Sequence, residues 1–236
     1  MPRNWFADDA FNRDWLKAVP VIREAMGKGE KAGKFVTIEG QPVFVGGPGQ
    51  GGGGSSSGGD VAFSSTGEAM NYLTDNKELN PDLTEEEENA LFWYKGDGFY
   101  DVNNDLRDAG YSEDDRVDLI QDIVRRGKTI DDMIVWRGLD VDVFEDSDNL
   151  TGDVFSDNVF ISTSLVRSTA ESFGYGAMME IRVPKGTRGI SMERWDPTVA
   201  SFGNESEFLL PDGSKFKILS DSGDEDSRHI VAEVIQ

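Results

Sequence analysis

Hydrophobic and polar positions divide the chain into a helical stretch followed by a strand-rich stretch. Over residues 65–128 the apolar positions recur at helical spacing, and acidic residues crowd the start of each run. Thr84, followed by Glu85–Glu88, has the form of a helix cap, and Gly127 is a natural helix stop. The pattern predicts several amphipathic helices whose acidic first turns complement the helix dipole.

Short runs rich in β-branched and aromatic residues replace this pattern after residue 128. They cover residues 133–137, 159–164, 178–183, 206–210, 214–219 and 229–235. Because the helices come first and the strands later, the order predicts an α+β domain rather than alternating βαβ units. A dinucleotide site of the Rossmann type is therefore disfavoured despite the many glycines.

The first 64 residues have a different organisation. Residues 5–26 show helical spacing with a break or kink at Pro20, and residues 34–45 form two β-rich runs around a glycine turn. Residues 46–59 are almost entirely glycine and serine, a composition that behaves as a flexible coil. We therefore predict a small module over residues 1–45, a linker over residues 46–64 and a catalytic domain over residues 65–236.

Charge and length narrow the possible partners. The 236 residues carry a formal net charge of −22, which repels the phosphate backbone and disfavours nucleic acid as the main ligand. The acidic surface either favours basic protein partners or only keeps the protein soluble. No apolar run approaches the ~18–20 residues of a bilayer span, and the first residues do not resemble a secretory signal. We expect a soluble, cytoplasmic protein with no membrane association.

The absence of cysteine and the single histidine restrict the chemistry. Thiol nucleophiles, disulfides and Cys/His zinc sites are excluded, and His229 lies in a strand-like run where a structural role is expected. Acidic clusters at residues 146–153 and 221–226 lack the glycine and closing glutamate of a calcium loop, so we interpret them as solvated turns. Catalysis is expected to use carboxylates, hydroxyls and arginines, without a metal.

Three short motifs carry candidate chemistry, and each also has a plain structural explanation. Glu205 and Glu207 enter an apolar strand, where alternation would place both carboxylates on one face, although an acidic strand entrance would look the same. Residues 162–164, Ser-Thr-Ser, end another strand, where hydroxyls often satisfy backbone groups. Arg137 leaves a third apolar strand and could equally form a surface ion pair.

Taken together and in this order, the motifs resemble those of the toxin-like mono-ADP-ribosyltransferases. The resemblance covers residues 65–236 and rests on residues 135–139 (Val-Trp-Arg-Gly-Leu), 160–165 (Phe-Ile-Ser-Thr-Ser-Leu) and 204–211 (Asn-Glu-Ser-Glu-Phe-Leu-Leu-Pro). It implies N-terminal helices packed on a split, mainly antiparallel β-sandwich that binds NAD as a substrate. It also implies transfer of ADP-ribose from NAD to a protein side chain.

The resemblance assigns roles to individual residues. Glu207 would stabilise the oxocarbenium-like state as the nicotinamide leaves, and Ser162 would orient it from the neighbouring strand. Glu205 would favour arginine as the acceptor, and Phe202 would lie in the loop that recognises the target protein. The NAD-binding set would comprise Arg137, Gly138, Ser162, Thr163, Ser164 and Arg167, with Arg182 as a further candidate for phosphate contact.

Residues 35–47 resemble a short segment found beside domains of bacteriophage head-associated proteins. This resemblance implies a phage-encoded enzyme that acts on host proteins in the host cytoplasm, with residues 1–45 as a docking element to the virion. Two alternatives remain at this point: an NAD glycohydrolase, in which water replaces the acceptor, and a noncatalytic virion-associated protein on the same fold. The second would be expected to lack Arg137, Ser162 or Glu207, and all three are present.

Overall fold

The structure is a computed structural model that describes residues 33–38, 41–46, 60–140, 149–174, 176–194, 205–224 and 227–235. These residues belong to two compact units. The smaller is an antiparallel hairpin of β1 (Gly33–Ile38) and β2 (Gln41–Gly46), as the sequence predicts. The predicted helices of residues 5–26 lie outside the described residues. Among the described residues, no helix is long and apolar enough to span a membrane.

The larger unit opens with the predicted helices. They are α1 (Thr66–Asp75), α2 (Glu85–Trp93), α3 (Phe99–Asp108) and α4 (Asp115–Arg126). The Thr84 hydroxyl accepts from the Glu87 N–H at 3.3 Å, while the Glu87 carboxylate accepts from the Thr84 N–H at 2.8 Å. This reciprocal cap is the one that the sequence predicts, and it starts α2 by satisfying two otherwise unpaired amides.

A π-helical turn, Tyr94–Gly98, joins α2 to α3 without breaking the helical path. The turn is tight at Gly98, where a Cβ atom would lie 2.5 Å from the Trp93 ring. One such wide turn changes which side chains face the sheet, and π turns occur frequently at functional sites. Here it carries the buried Tyr94 and Lys95.

The sheet of the larger unit has eight described strands in the order β4-β9-β10-β6-β3-β5-β8-β7. Their bounds are β3 (Met133–Asp140), β4 (Val154–Ser156), β5 (Ile161–Ser164), β6 (Gly176–Val183), β7 (Ile190–Ser191), β8 (Glu207–Leu210), β9 (Lys215–Asp224) and β10 (Ser227–Ile235). Only the β10–β6 pair is parallel among these strands. The mixed, mainly antiparallel sheet confirms the predicted α+β class.

The sheet is nearly divided between β3 and β5. These strands share a single residue pair, Trp136 with Ser164, whereas β3 and β6 pair along eight residues. The weak seam separates β4-β9-β10-β6-β3 from β5-β8-β7, which corresponds to the predicted split. A short helix, α5 (Arg167–Ala170), follows β5. Buried residues of α1–α4 and of both groups of strands form one hydrophobic cluster.

The structure corrects two predicted boundaries. Val61, assigned to the linker, donates its N–H to Asp132 and accepts from the Ile134 N–H, and Phe63 packs on Tyr72 at 5.0 Å between ring centroids. Apolar side chains within a glycine-rich stretch thus begin the folded unit before residue 65. Residues 221–224, interpreted as a solvated turn, extend β9, because Asp221 forms a partly buried ion pair with Arg228 across the hairpin.

Candidate functional site

Glu207 is the first residue of β8, and its side chain is only 11 % exposed. Its carboxylate lies 3.4 Å from the Nζ atom of Lys95, and its backbone N–H donates to the Glu193 carboxylate at 2.9 Å. Lys95 Nζ also contacts that same Glu193 carboxylate at 3.3 Å. The predicted catalytic carboxylate is therefore held by a buried lysine and a second buried carboxylate.

The burial of Lys95 does not neutralise it. Burial lowers the pKa of Lys95, but the negative charges of Glu207, Glu193 and Glu205 together raise it by more. The pKa of Lys95 therefore lies above its usual value. The ammonium ion therefore stays charged at neutral pH. Three carboxylates around one ammonium leave this group of residues, which we call the acidic cluster, with a formal charge of −2.

The backbone on both sides of Glu207 is fixed by the Ser-Thr-Ser segment. The Ser164 hydroxyl donates to the Glu205 carbonyl at 2.6 Å, and the Thr163 hydroxyl donates to the Phe208 carbonyl at 2.7 Å. Both hydroxyls are buried. Their bonds thus brace the entrance of β8 from the neighbouring strand.

The residue between the two glutamates has an unusual backbone. Ser206 has a φ of 50°, in the left-handed region, and it is fully buried. Strand alternation therefore does not extend from Glu207 back to Glu205, and the sequence argument that places them on one face fails at Ser206. Both carboxylates are nevertheless close enough to Lys95 for their charges to raise its pKa.

A second group of charges lies across the β3–β5 seam. Arg137 donates from Nη1 to the Ser162 carbonyl at 2.6 Å, and Arg107 of α3 lies 3.5 Å from the fully buried carboxylate of Asp157. Burial, and then the neighbouring charge of Arg107, lower the pKa of Arg137, but a guanidinium remains protonated in proteins. Two guanidiniums and one carboxylate give this basic cluster a formal charge of +1.

Tyr94 is near residues of both clusters. Burial raises the pKa of its hydroxyl, which also experiences the charges of Glu207, Arg137 and Arg107. The Asn103 amide donates to that hydroxyl at 3.3 Å, and the Tyr94 ring meets Phe160 edge-on at 5.4 Å. The π turn thereby connects an acidic half of the site to a basic half.

The remaining predicted site residues have other surroundings. A Cβ on Gly138 would overlap the Ala170 carbonyl, so backbone packing alone requires glycine there. Arg167 is exposed, pairs with Glu171 at 2.9 Å and lies over the Trp136 ring. Arg182 is exposed on β6, and Phe202 lies outside the described residues. The NAD-binding roles of these residues stay predictions.

The predicted role of Ser162 also stays a prediction. Its register partner on β8 is Leu209, whereas Ser164 is the partner of Glu207. Within the part of the chain that the structure describes, no hydrogen bond joins the Ser162 hydroxyl to Glu207; its carbonyl instead accepts from Arg137. The described residues also contain no group of three or more His, Asp or Glu side chains arranged to hold a metal ion.

Sequence reasoning missed residues that come from the helices and the π turn, from the end of β4 and from the loop after β7: Asn103, Arg107, Tyr94, Lys95, Asp157 and Glu193. One signal was available. Asn103 and Arg107 are four residues apart, and this spacing puts them on one face of a helix. Lys95 and Glu193 carried no such signal, because a lysine after an aromatic run and a glutamate after a short strand are ordinary surface patterns.

Comparison with known proteins identifies the family of this chain. The family model described as ADP-ribosyltransferase exoenzyme matches residues 72–235, which is well over half of the chain. The chain belongs to the ADP-ribosyltransferase exoenzyme family. The matched residues include every described member of both charged clusters.

Two curated relatives of this chain have arginine-specific names. The chain is 31 % identical over 149 residues to the NAD(+)–arginine ADP-ribosyltransferase EFV of Enterococcus faecalis, covering 58 % of this chain and 29 % of the relative. It is 30 % identical over 152 residues to a Mycobacterium avium protein that also carries an NAD(+)–arginine ADP-ribosyltransferase name, covering 62 % and 17 %. The chain thus spans less than a third of either relative.

Solved structures support the fold. C3stau2 of S. aureus, crystallised with NAD, aligns with a TM-score of 0.64 at 18 % identity and covers 75 % of this chain and 99 % of its own. Plx2a, an ADP-ribosyltransferase toxin from Paenibacillus larvae, aligns with a TM-score of 0.63 at 20 % identity over 75 % and 99 %. The chain therefore has the fold that the motifs of its sequence imply.

Proposed function

We propose that the protein cleaves NAD at the nicotinamide–ribose bond and transfers ADP-ribose to an arginine side chain of a protein. The observation that carries this proposal is the pair of oppositely charged clusters, one around Glu207 and Lys95 and the other around Arg137 and Arg107. The NAD diphosphate is anionic and its nicotinamide is cationic, so the molecule has the complementary distribution of charge. The arginine-specific names of the curated relatives support the acceptor.

The basic cluster would bind the diphosphate. Arg137 presents a planar guanidinium suited to paired hydrogen bonds with phosphate oxygens, and Arg107 adds a second positive charge. The two guanidiniums outnumber the Asp157 carboxylate in this cluster. Its net positive charge gives a doubly charged diphosphate an electrostatic reason to bind at the seam.

Glu207 would stabilise the reaction's positive charge. The bond between the ribose C1′ atom and the nicotinamide nitrogen breaks, and its electron pair goes to the nitrogen, which leaves as neutral nicotinamide. The ribose becomes oxocarbenium-like, and a carboxylate that is already held in place stabilises it without reorganisation. Because the leaving group needs no proton, the reaction requires no general acid.

Glu205 would serve the acceptor. A protonated guanidinium is a poor nucleophile, so a carboxylate that holds it and accepts its proton assists attack on C1′. Glu205 is partly exposed, whereas Glu207 is buried. This difference fits an outer carboxylate for the protein acceptor and an inner one for NAD.

The test is incubation of the protein with labelled NAD and either agmatine, a small guanidine, or a cell lysate. We expect labelled agmatine and labelled protein, loss of both in Glu207→Gln, and retained NAD hydrolysis without guanidine transfer in Glu205→Gln. Label that persists in Glu207→Gln, or that never appears with the wild-type protein, would refute the transferase proposal. NAD hydrolysis with no transfer to any acceptor would favour the glycohydrolase.

The acceptor in the cell is a further part of this proposal. Solved neighbours such as Plx2a are described as toxins, which supports a host protein as the target and the host cytoplasm as the place of action. Residues 1–45 would then deliver or dock the enzyme, including by association with a virion. Lysates of several candidate host cells, compared for labelled bands, would test the target.

A further inference from the structure

The ammonium group of Lys95 is buried beside Glu207 and the residues around it. Its side chain is 5 % exposed, and its ammonium lies 3.4 Å from Glu207, 3.3 Å from Glu193 and 3.1 Å from the Met192 carbonyl. These partners belong to β8 and to the loop after β7, while Lys95 itself belongs to the π turn. The ammonium thus joins the helices to the entrance of the proposed catalytic strand.

Glu193 is equally committed to this arrangement. Its side chain is 6 % exposed, and one oxygen, Oε1, both contacts Lys95 and accepts the Glu207 backbone N–H. Its own backbone N–H donates to the Ser191 hydroxyl at 3.1 Å. Glu193 therefore fixes the backbone of Glu207, while Lys95 fixes the carboxylate.

We propose that Lys95 and Glu193 are positioning residues for Glu207, a role that rests on the function proposed above. Lys95 holds one oxygen of the Glu207 carboxylate and leaves the other for the ribose. Its positive charge also offsets the repulsion between two neighbouring buried carboxyl groups. Glu193 offsets the lysine charge, so that Glu207 still presents net negative charge to the oxocarbenium ion.

Several charged and titratable groups surround Glu207, and they determine how its protonation should respond to the loss of Lys95. Glu207 faces Lys95 and Tyr94 of the π turn, Arg137 of β3, Glu193 after β7 and Glu205 before β8. Lys95 is the cation in direct contact with the carboxylate among the described residues. Its removal should therefore change the protonation of the carboxylates more than any other single neutral substitution.

The kinetic test compares Lys95→Met, Lys95→Arg, Glu193→Gln and the double variant Lys95→Met/Glu193→Gln in NAD hydrolysis over a range of pH. For Lys95→Met we expect kcat to fall by ~10–100-fold with KM for NAD little changed, because the lost contact acts on the transition state. The acid limb of the profile of kcat against pH should move about one pH unit higher, because two carboxyl groups then share a site without a cation. Lys95→Arg should keep the limb of the wild type.

The double variant separates charge from structure. Removing Glu193 as well takes away the buried carboxylate that shares Lys95 with Glu207, and only the more exposed Glu205 remains, so the acid limb should return toward the wild-type position. Glu193→Gln alone should lower kcat without raising the limb, since Lys95 then neutralises Glu207. Lys128→Met, which removes an exposed Lys–Glu pair with Glu78, is the matched control and should change neither quantity. An unmoved limb in Lys95→Met, or no return in the double variant, would overturn the proposal.

A measurement without turnover keeps this test separate from the proposed function. In Lys95→Met, one carboxyl group of the folded protein should have a higher pKa than in the unfolded chain. The folded protein is then destabilised as the pH rises through that pKa and the carboxyl group ionises. The loss of Tm relative to wild type should therefore be larger at pH 8 than at pH 5, whereas Lys128→Met should show no such trend. A pH-independent loss would refute the charge coupling even if the protein never cleaved NAD. Conversely, the trend would stand if Glu207→Gln retained activity and the proposed function failed.

Discussion

The buried pair of Arg107 and Asp157 gives a prediction that joins stability to substrate binding. The ions lie 3.5 Å apart with side chains 12 % and 0 % exposed. At an effective dielectric constant of about 20, two unit charges at this distance interact by about 5 kcal/mol. Asp157→Asn removes the negative charge and leaves Arg107 beside the like charge of Arg137 without the carboxylate that it contacts.

We expect Asp157→Asn to destabilise the protein by about 3 kcal/mol, the lower end of the range for breaking one side of a buried pair, because Arg107 retains some contact with water. For a domain of this size the loss corresponds to a fall in Tm of roughly 6–12 °C. Urea and thermal unfolding would measure it. Asp114→Asn is the matched control, since it removes an exposed ion pair with Arg116 yet keeps a good helix cap, and should cost less than about 1 kcal/mol.

NAD should compensate for part of this loss, because its diphosphate supplies the missing negative charge. The comparison is made with Glu207→Gln in both proteins, so that NAD is bound but not cleaved. NAD at about 100 times its Kd stabilises the folded protein by about 2.7 kcal/mol. Tenfold tighter binding at the same NAD concentration adds about 1.4 kcal/mol to this stabilisation. The increase in Tm on adding NAD should therefore be larger in the protein that also carries Asp157→Asn than in the protein that retains Asp157. An equal or smaller increase would refute the basic cluster as the diphosphate site.

Three further predictions concern the frame around the site. Gly138→Ala should destabilise by about 1–3 kcal/mol in urea unfolding, because its Cβ would overlap the backbone of α5, whereas Gly67→Ala, which meets open space in α1, should stabilise by up to about 1 kcal/mol. Ser164→Ala should lower kcat and cost about 1–2 kcal/mol, because the Glu205 carbonyl loses its buried donor. The Thr84 N–H and Arg126 lower the pKa of Glu87, and burial opposes them with a smaller effect. The ionised Glu87 therefore stabilises the fold at neutral pH, and this stabilisation is lost as the pH falls below 4.5. The Glu87→Gln variant should consequently lose less stability than the wild type between pH 7 and pH 3.

The parts of the structure that the sequence predicts are those with a local cause. The cap at Thr84 and the stop at Gly127 depend on residues within one helical turn, and the structure contains both. The strand of Glu207 is a continuous apolar run, so its existence follows from burial alone. The short strand Ile190–Ser191 has no such pattern, because two residues show no alternation and only pairing with β8 makes them a strand.

The predicted site was incomplete for a related reason. Arg137 lies within β3 and Glu207 begins β8, and a charged residue next to an apolar run is conspicuous in a sequence. Arg107 lies within a polar helical stretch that resembles a solvated face, and Lys95 follows an aromatic run, which is an ordinary surface pattern. Their burial depends on the π turn and on the approach of α3 to the β3–β5 seam, which are tertiary features that no short window of sequence contains.

The division of charge within the site also bears on how the reaction ends. In the proposed reaction, the acidic cluster, at −2, would face the cationic nicotinamide and the cationic acceptor, while the basic cluster, at +1, would face the diphosphate. Bond cleavage converts the nicotinamide into a neutral molecule, so the attraction that held this group beside Glu207 is lost in the same step that creates the oxocarbenium ion. The acidic cluster would then stabilise the ion and the approaching guanidinium, and the basic cluster would retain the ADP-ribose until transfer. This arrangement would favour departure of the leaving group over its return, and the charges of Lys95 and Glu193 would set the net charge at Glu207.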